Sequence, residues 1–262
     1  MARSTSQPGR RASCTRCARG RPRGASRWPA AGDDAWVGVP GMNAPVQAMS
    51  AALPVAWSTR VDAFDPTSSG WRLRGEGVDA STFDGVVVAV PAEQAEALLA
   101  VHAREFAGRA ASAPSQPCWT ALLAFPAPAG AGVDVLRDAG AIGWACRNAG
   151  KPGRDPLETW VVQATPEWST THLEDASDVV AGALLRALAD ALGSHLPTPV
   201  LVQAHRWRYA RAGNAGDGCL WDPRTRLGVC GDWLLGPRVE CAWQSGDALA
   251  ERILAGAGAT SG

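Results

Sequence analysis

A predicted strand, turn and helix near the end of the chain, within residues 227–254, limit the fold more than any other segment. A short apolar run ends at Gly231-Asp232, and after a loop a helix is predicted to begin near Arg238 or Val239. Small residues recur along this helix at three- and four-residue spacing, so one of its faces can approach another backbone closely. The N–H groups at the helix start favour an electron-rich ligand edge, although an ordinary surface αβ unit would show the same pattern.

Earlier segments indicate a mixed α/β architecture. Residues 83–91 form a β-branched run that ends in proline, which is typical of a strand buried on both faces of a largely parallel sheet. Asn43 is a candidate N-cap for a helix that runs to residue 53, and residues 55–64 and 70–74 are predicted strands joined by a turn.

Residues 92–205 show the pattern of an antiparallel sheet with covering helices. Residues 178–192 carry apolar side chains at every fourth position, and Gly193 closes this predicted amphipathic helix. We expect one face of the sheet to form the wall of a pocket. The predicted strands are residues 118–125, 142–147, 159–164 and 200–209.

The last of these strands alternates between two kinds of side chain. His205, Trp207 and Tyr209 fall on one face, and Arg206 and Arg208 fall on the other. The aromatic face suits a flat ring system, and the arginine face suits a carboxylate or a phosphate. An edge strand with a packed aromatic face and a solvated arginine face is the alternative interpretation.

Composition argues against several classes of function. The net charge is zero, which gives no reason to expect binding to nucleic acid or to an anionic membrane, and no apolar run approaches the roughly 18 residues that span a bilayer. Seven cysteines without a repeating spacing predict neither a disulfide framework nor a metal site, so we expect a soluble, cytoplasmic protein. No motif of a nucleophilic hydrolase, a metalloprotease or a P-loop enzyme occurs.

Arg147, in a predicted turn, is a further pocket candidate, with a structural role as its alternative.

Residues 1–33 differ from the remainder. They carry eight arginines, no acidic residue before Asp33 and almost no apolar periodicity, so they are predicted to be disordered. Such a start is typical of a transit peptide or of a nucleic-acid-binding arm. We favour a third interpretation, in which the segment is translated out of frame or from a misplaced start. Its Cys14-Thr-Arg-Cys17 is a lone pair and predicts no metal site.

Three motifs resemble, in the same order, those of FAD-dependent amine oxidases, and most of all their bacterial renalase-like branch. They are WVGVPGMN at residues 36–43, AHRWRYA at residues 204–210, and the segment from Gly231-Asp232 to VECAWQSG at residues 239–246. The family's pyrophosphate-binding G-x-G-x-x-G turn occurs nowhere in the chain. The resemblance therefore implies a two-domain FAD/NAD(P)-binding flavoprotein fold that is truncated at its N-terminus.

In this fold, residues 34–91 and 206–262 would form a partial FAD-binding domain, and residues 92–205 an antiparallel-sheet substrate domain. The resemblance places the predicted helix start near the N1–C2=O edge of the flavin, and Cys241 stands where the family usually has glycine. The implied cofactor-binding residues are Gly41, Met42, Asn43, Val61, Gly231, Asp232, Arg238, Val239, Glu240 and Ser245, and the implied substrate-pocket residues are His205, Trp207, Tyr209 and Arg147.

The function implied is that of an FAD-dependent oxidoreductase that transfers a hydride to the flavin from a small substrate or from reduced nicotinamide, NAD(P)H. Because the glycine-rich motif is absent, the alternative is a non-catalytic, truncated remnant that does not hold FAD by itself. A small molecule is the expected partner. The sequence identifies no catalytic residue and leaves the oligomeric state open.

Overall fold

A computed structural model describes residues 24–32, 35–130 and 132–258, and these residues form a mixed α/β structure, as predicted. The expectation for Cys14 and Cys17, like that for all of residues 1–23, lies outside the described residues. The strands are β1 (Ala25–Arg27), β2 (Trp36–Gly38), β3 (Ala63–Thr67), β4 (Gly70–Arg74), β5 (Thr82–Phe83), β6 (Val86–Val88), β7 (Gln116–Phe125), β8 (Val135–Ala139), β9 (Ile142–Arg147), β10 (Glu158–Ala164), β11 (Leu201–Arg211), β12 (Leu220–Asp222) and β13 (Leu227–Val229). The helices are α1 (Ala44–Ser50), α2 (Ala92–Leu99), α3 (Arg104–Ala111), α4 (Pro166–Thr171), α5 (Ser177–Leu192) and α6 (Val239–Gly258).

A five-stranded antiparallel sheet, in the order β11-β7-β10-β9-β8, is covered on one face by α5. Alternate residues of β7, such as Trp119 and Leu123, are buried against Leu184 and Leu188 of the helix. Gly193 ends α5 in the left-handed conformation, at φ 60°, as the sequence predicts. The opposite face of the sheet carries His205, Trp207 and Tyr209 at its β11 edge.

A second core forms around the parallel pair β6 and β13. Helices α2 and α3 pack into this core through Ala95, Leu99 and Ala110, so the boundary predicted after Pro91 is too early. The boundary predicted between residues 205 and 206 is also wrong, because β11 continues to pair with β7 as far as Arg211.

The segment predicted to be disordered is ordered in its last part. Residues 24–32 include β1, which pairs with β2, and the 4% exposed Trp28 packs against Cys146 of the large sheet. A long-range contact of one large aromatic ring thus overrides the polar composition around it.

The structure also corrects two element boundaries. Helix α1 ends at Ser50, earlier than predicted. Strand β3 begins only at Ala63, and its pairing with β4 extends to Thr67 opposite Gly70, so the turn is limited to residues 68 and 69. In the described part of the chain, no helix has the length and apolar character that crossing a membrane requires.

Candidate functional site

The turn between β13 and α6 is fixed by two hydrogen bonds. The backbone N–H of Gly231 donates to Ser245 Oγ on α6 at 3.0 Å, and the buried Trp233 donates through Nε1 to the carbonyl oxygen of Val90 at 3.1 Å. The predicted strand, turn and helix are therefore present. Ser245 is fully buried, and its hydroxyl is already used, so the structure gives it a positioning role in place of the predicted cofactor contact.

The first turn of α6 is open to solvent. Val239 is 86% exposed, Arg238 and Glu240 are exposed beside it, and the N–H groups of Val239 and Glu240 have no acceptor among the described residues. The half-buried carboxylate of Asp232 has no hydrogen-bond donor in that same part of the chain. Two amide donors thus lie at the positive end of a 20-residue helix, and Asp232 stands in the turn that precedes this helix. The thiol of Cys241 is buried, so it does not obstruct this open end.

The predicted Pro-Gly-Met-Asn turn is built on close backbone approach. A Cβ atom on Gly38 would lie only 2.2 Å from the carbonyl oxygen of Gly41. Arg154 ties the turn to the loop between β9 and β10 by donating to the carbonyl oxygen of Gly38 at 2.9 Å. Met42 is 57% exposed, and Asn43 precedes α1 as predicted but makes no capping hydrogen bond through its side chain.

The predicted cofactor residues fall into separate groups. Within the described residues, no hydrogen bond or ion pair joins the turn at Gly41 to the segment that holds Asp232. Val61 lies elsewhere, half-buried in a small cleft that Val90 and Leu98 also line.

The aromatic face predicted on β11 is present and open. The rings of His205 and Trp207 stand 4.3 Å apart at 66°, and Trp207 is 54% exposed. On the opposite face, Arg206 and Arg208 each lie 2.8 Å from Glu174, and the hydrogen bond from Arg208 holds the pKa of the Glu174 carboxyl below its usual value. This arginine pair is therefore engaged by the protein itself, which corrects its assignment to a ligand carboxylate or phosphate.

A cleft of about 620 Å³ opens at the end of the large sheet. Tyr209 and Arg211 line it from β11, next to Trp207. The neighbouring strands add side chains that the sequence did not single out, because their register opposite β11 depends on long-range pairing. These are Gln116 and Cys118 of β7, Trp144 of β9 and Gln163 of β10.

Cys118 at the floor of this cleft is not an activated thiol. Its Sγ lies 3.8 Å from both Thr120 Oγ1 and the carbonyl oxygen of Ala164. Burial raises the pKa of the thiol and outweighs the lowering by Thr120 and by the positive charge of Arg211. The thiol is therefore protonated at neutral pH and is a poor nucleophile.

Arg147 lies at the other end of the sheet and has a structural role. Its Nε is 2.8 and 3.1 Å from the two oxygens of the buried Glu158, and its Nη1 is 3.5 Å from Asp134. Glu158 also accepts a hydrogen bond from Trp160 Nε1 at 2.9 Å. The hydrogen bond with Glu158 raises the pKa of Arg147 above its usual value. The predicted place of Arg147 in the substrate pocket is therefore corrected.

Solved structures of similar fold include oxidases that are longer than this chain. A candidate protoporphyrinogen oxidase from Exiguobacterium sp. 255-15 has a TM-score of 0.65 at 14% identity, over 84% of this chain and 52% of its own. Cyclohexylamine oxidase from Brevibacterium oxydans IH-35A has a TM-score of 0.58 at 17% identity, over 74% and 47% respectively. Putrescine oxidase bound to putrescine has a TM-score of 0.56 at 13% identity, over 84% and 54%.

At these identities the structures show a shared fold only, and the chain spans about half of their length. The family assignment comes from a sequence model described as flavin containing amine oxidoreductase, which matches residues 28–254. This match covers most of the chain, including both cores and the strand, turn and helix at its end. The chain therefore belongs to the flavin containing amine oxidoreductase family.

Proposed function

We propose that this chain provides the cofactor-facing helix start and the substrate wall of an FAD-dependent oxidoreductase from the renalase-like branch of its family. The substrate is a small molecule or a reduced nicotinamide, NAD(P)H, and the bound flavin supplies the hydride acceptor. The observation that carries the proposal is the open first turn of α6, together with the half-buried Asp232 in the turn that precedes it.

The residues at this helix start fit one part of FAD. The free N–H groups of Val239 and Glu240 suit the N1–C2=O edge, where negative charge gathers on reduction. The carboxylate of Asp232 suits a hydroxyl donor of the ribityl chain, and Ser245 fixes the turn that carries it. For the pyrophosphate, the sequence contains no G-x-G-x-x-G motif. The residues at the helix start therefore fit the flavin end of the cofactor and not its pyrophosphate end.

The wall of the large sheet supports a flat substrate. His205 and Trp207 present their rings to solvent on a strand whose backbone is paired with β7 along most of its length. A rigid aromatic surface of this kind binds planar rings with little loss of side-chain entropy. Orientation of the substrate and exclusion of water are the contributions that we assign to this wall.

A second candidate function is the non-catalytic remnant that does not hold FAD by itself. One observation favours it: the sequence contains no G-x-G-x-x-G motif. The flavin-end contacts alone would then be too few to retain the cofactor.

The deciding experiment is retention of flavin by the purified chain after addition of FAD and gel filtration. We expect flavin absorbance in the protein fraction, and we expect Asp232→Ala to reduce it. Asp190→Ala on α5 is the matched control, because it removes a carboxylate from the other core. A colourless parent protein would support the remnant. Retained flavin that bleaches under NADH or an amine in the absence of oxygen would identify the hydride donor.

We also propose a cytoplasmic location. The five cysteines among the described residues are free thiols, which is typical of proteins in a reducing compartment. Chemical labelling of thiols in the folded and the unfolded chain tests this proposal. If two cysteines fewer than expected are modified after unfolding, the chain contains a disulfide, which would instead indicate an oxidising compartment.

A further inference from the structure

Arg211 differs from the other two arginines of β11 in having no acidic partner among the described residues. Arg206 and Arg208 bind Glu174 on the helix-covered side of the sheet. A register shift between Trp207 and Arg211 ends this regular alternation, and Arg211 lines the cleft. In the described part of the chain, no carboxylate lies within ion-pair distance of its guanidinium. An unpaired guanidinium at a cleft is a ready partner for a carboxylate or a phosphate.

The rest of the cleft suits a flat ring. Trp144, Trp207 and Tyr209 line it together with the amide side chains of Gln116 and Gln163. Aromatic walls with a few polar groups are typical of small-molecule sites, and about 620 Å³ is within the range of such sites. The protonated thiol of Cys118 leaves the positive charge of Arg211 unneutralised.

The charged residues at the rim make the two ends of the cleft electrostatically different. Arg211 stands on β11 at one edge of the sheet, whereas Asp138 lies on β8 at the opposite edge. Glu167, in the first turn of α4, is the other acidic residue that lines the cleft. An anionic group is therefore repelled from the acidic rim and attracted to the β11 end.

We propose that this cleft binds a ligand with a flat ring through an anionic substituent, a carboxylate or a phosphate, with Arg211 as the residue that recognises the anion. The inference rests on the proposed function, because the cleft continues the aromatic wall assigned to the substrate, and it names the substrate class of that site. It selects anionic compounds with a flat ring over simple amines.

Calorimetric titration of the full chain with two matched ligand pairs tests this inference without any flavin. The first pair is reduced nicotinamide mononucleotide and reduced nicotinamide riboside, which differ by a phosphate. The second pair is indole-3-acetate and indole-3-acetamide, which differ by a carboxylate charge. We expect the anionic member of at least one pair to bind about tenfold more tightly, as one charge-assisted hydrogen bond provides. The pair that shows the preference identifies the source of the anion.

Two variants separate recognition by Arg211 from a general effect of charge. Arg211→Gln should reduce the preference to within about twofold, whereas Arg208→Gln, on the opposite face of the same strand, should leave it intact. Equal binding within both pairs, absence of binding at millimolar concentration, or a preference that survives Arg211→Gln would each overturn the proposal. Flavin retention involves α6 and is measured separately, so failure of this inference is distinguishable from failure of the proposed function.

Discussion

Replacement of Glu158 by glutamine tests whether Arg147 belongs to the protein framework or to a ligand site. Glu158 is 5% exposed and accepts hydrogen bonds from Arg147 Nε and from Trp160 Nε1. Glutamine keeps the shape of the side chain and one oxygen, so Trp160 retains an acceptor. The change removes the negative charge opposite Arg147.

The expected loss of stability follows from the burial of this ion pair. Removal of one partner of a buried pair costs about 3–5 kcal/mol. The side chain of Arg147 is 33% exposed, and Asp134 at 3.5 Å preserves part of the pairing, so a lower value applies. We expect Glu158→Gln to reduce the free energy of unfolding by about 2 kcal/mol. Glu158→Ala should cost about 1–2 kcal/mol more, because Trp160 Nε1 then has no acceptor.

Urea unfolding at neutral pH, followed by tryptophan fluorescence and by circular dichroism, measures this loss. Glu174→Gln is the matched control, because Glu174 is also paired with arginine but is 68% exposed, and its midpoint should stay close to that of the parent chain. Equal midpoints for Glu158→Gln and Glu174→Gln would refute the reasoning, since the Arg147 pair would then contribute nothing to the fold.

Three further changes probe other parts of the structure. Ser245→Ala should cost about 1–2 kcal/mol in thermal unfolding, because the N–H of Gly231 loses its acceptor, and an unchanged melting temperature would contradict the positioning role. Leu184→Ala, at a fully buried site against the large sheet, should cost about 2–5 kcal/mol in urea unfolding, and a loss below this range would mean that α5 packs loosely there. Arg208→Gln should raise the pKa of Glu174 in an NMR titration. The pKa of Glu174 is lowered in the folded chain, so its stabilising contribution is present above the unfolded-state pKa and is lost as the pH falls through the lowered folded value. An unaltered titration of Glu174 in the Arg208→Gln variant would show that the ion pair is absent in solution.

The parts of the site that depend on local periodicity could be predicted from the sequence. The strand, turn and helix around Asp232 and the alternation of His205 and Trp207 both follow from side-chain spacing along one segment. The open helix start at Val239 follows from the same reasoning, since the first amides of any helix lack internal partners.

The remaining parts depend on contacts between distant segments. Nothing in the sequence around Arg147 shows that Glu158 will lie beside it across two paired strands. The position of Cys118 opposite Trp207 requires the register between β7 and β11, which one strand alone does not specify. Likewise, the composition of residues 24–32 favours disorder, whereas burial of Trp28 against the sheet orders them.

The chain passes between the core of the large sheet and the second core after α3 and again after β11, and these two connecting segments are in contact. A Cβ atom on Gly213 would lie 2.7 Å from the backbone of Ala113, so the outgoing and returning segments are in close contact. Arg109 donates to the carbonyl oxygen of Ala215 at 2.9 Å, and the N–H of Ala215 donates at 2.9 Å to the carbonyl oxygen of Trp233, next to the turn at the start of α6. Hydrogen bonds through Ala215 therefore connect the crossing to the turn between β13 and α6. Under the proposed function, these contacts would hold the aromatic wall, which extends from the same crossing, in place relative to that turn.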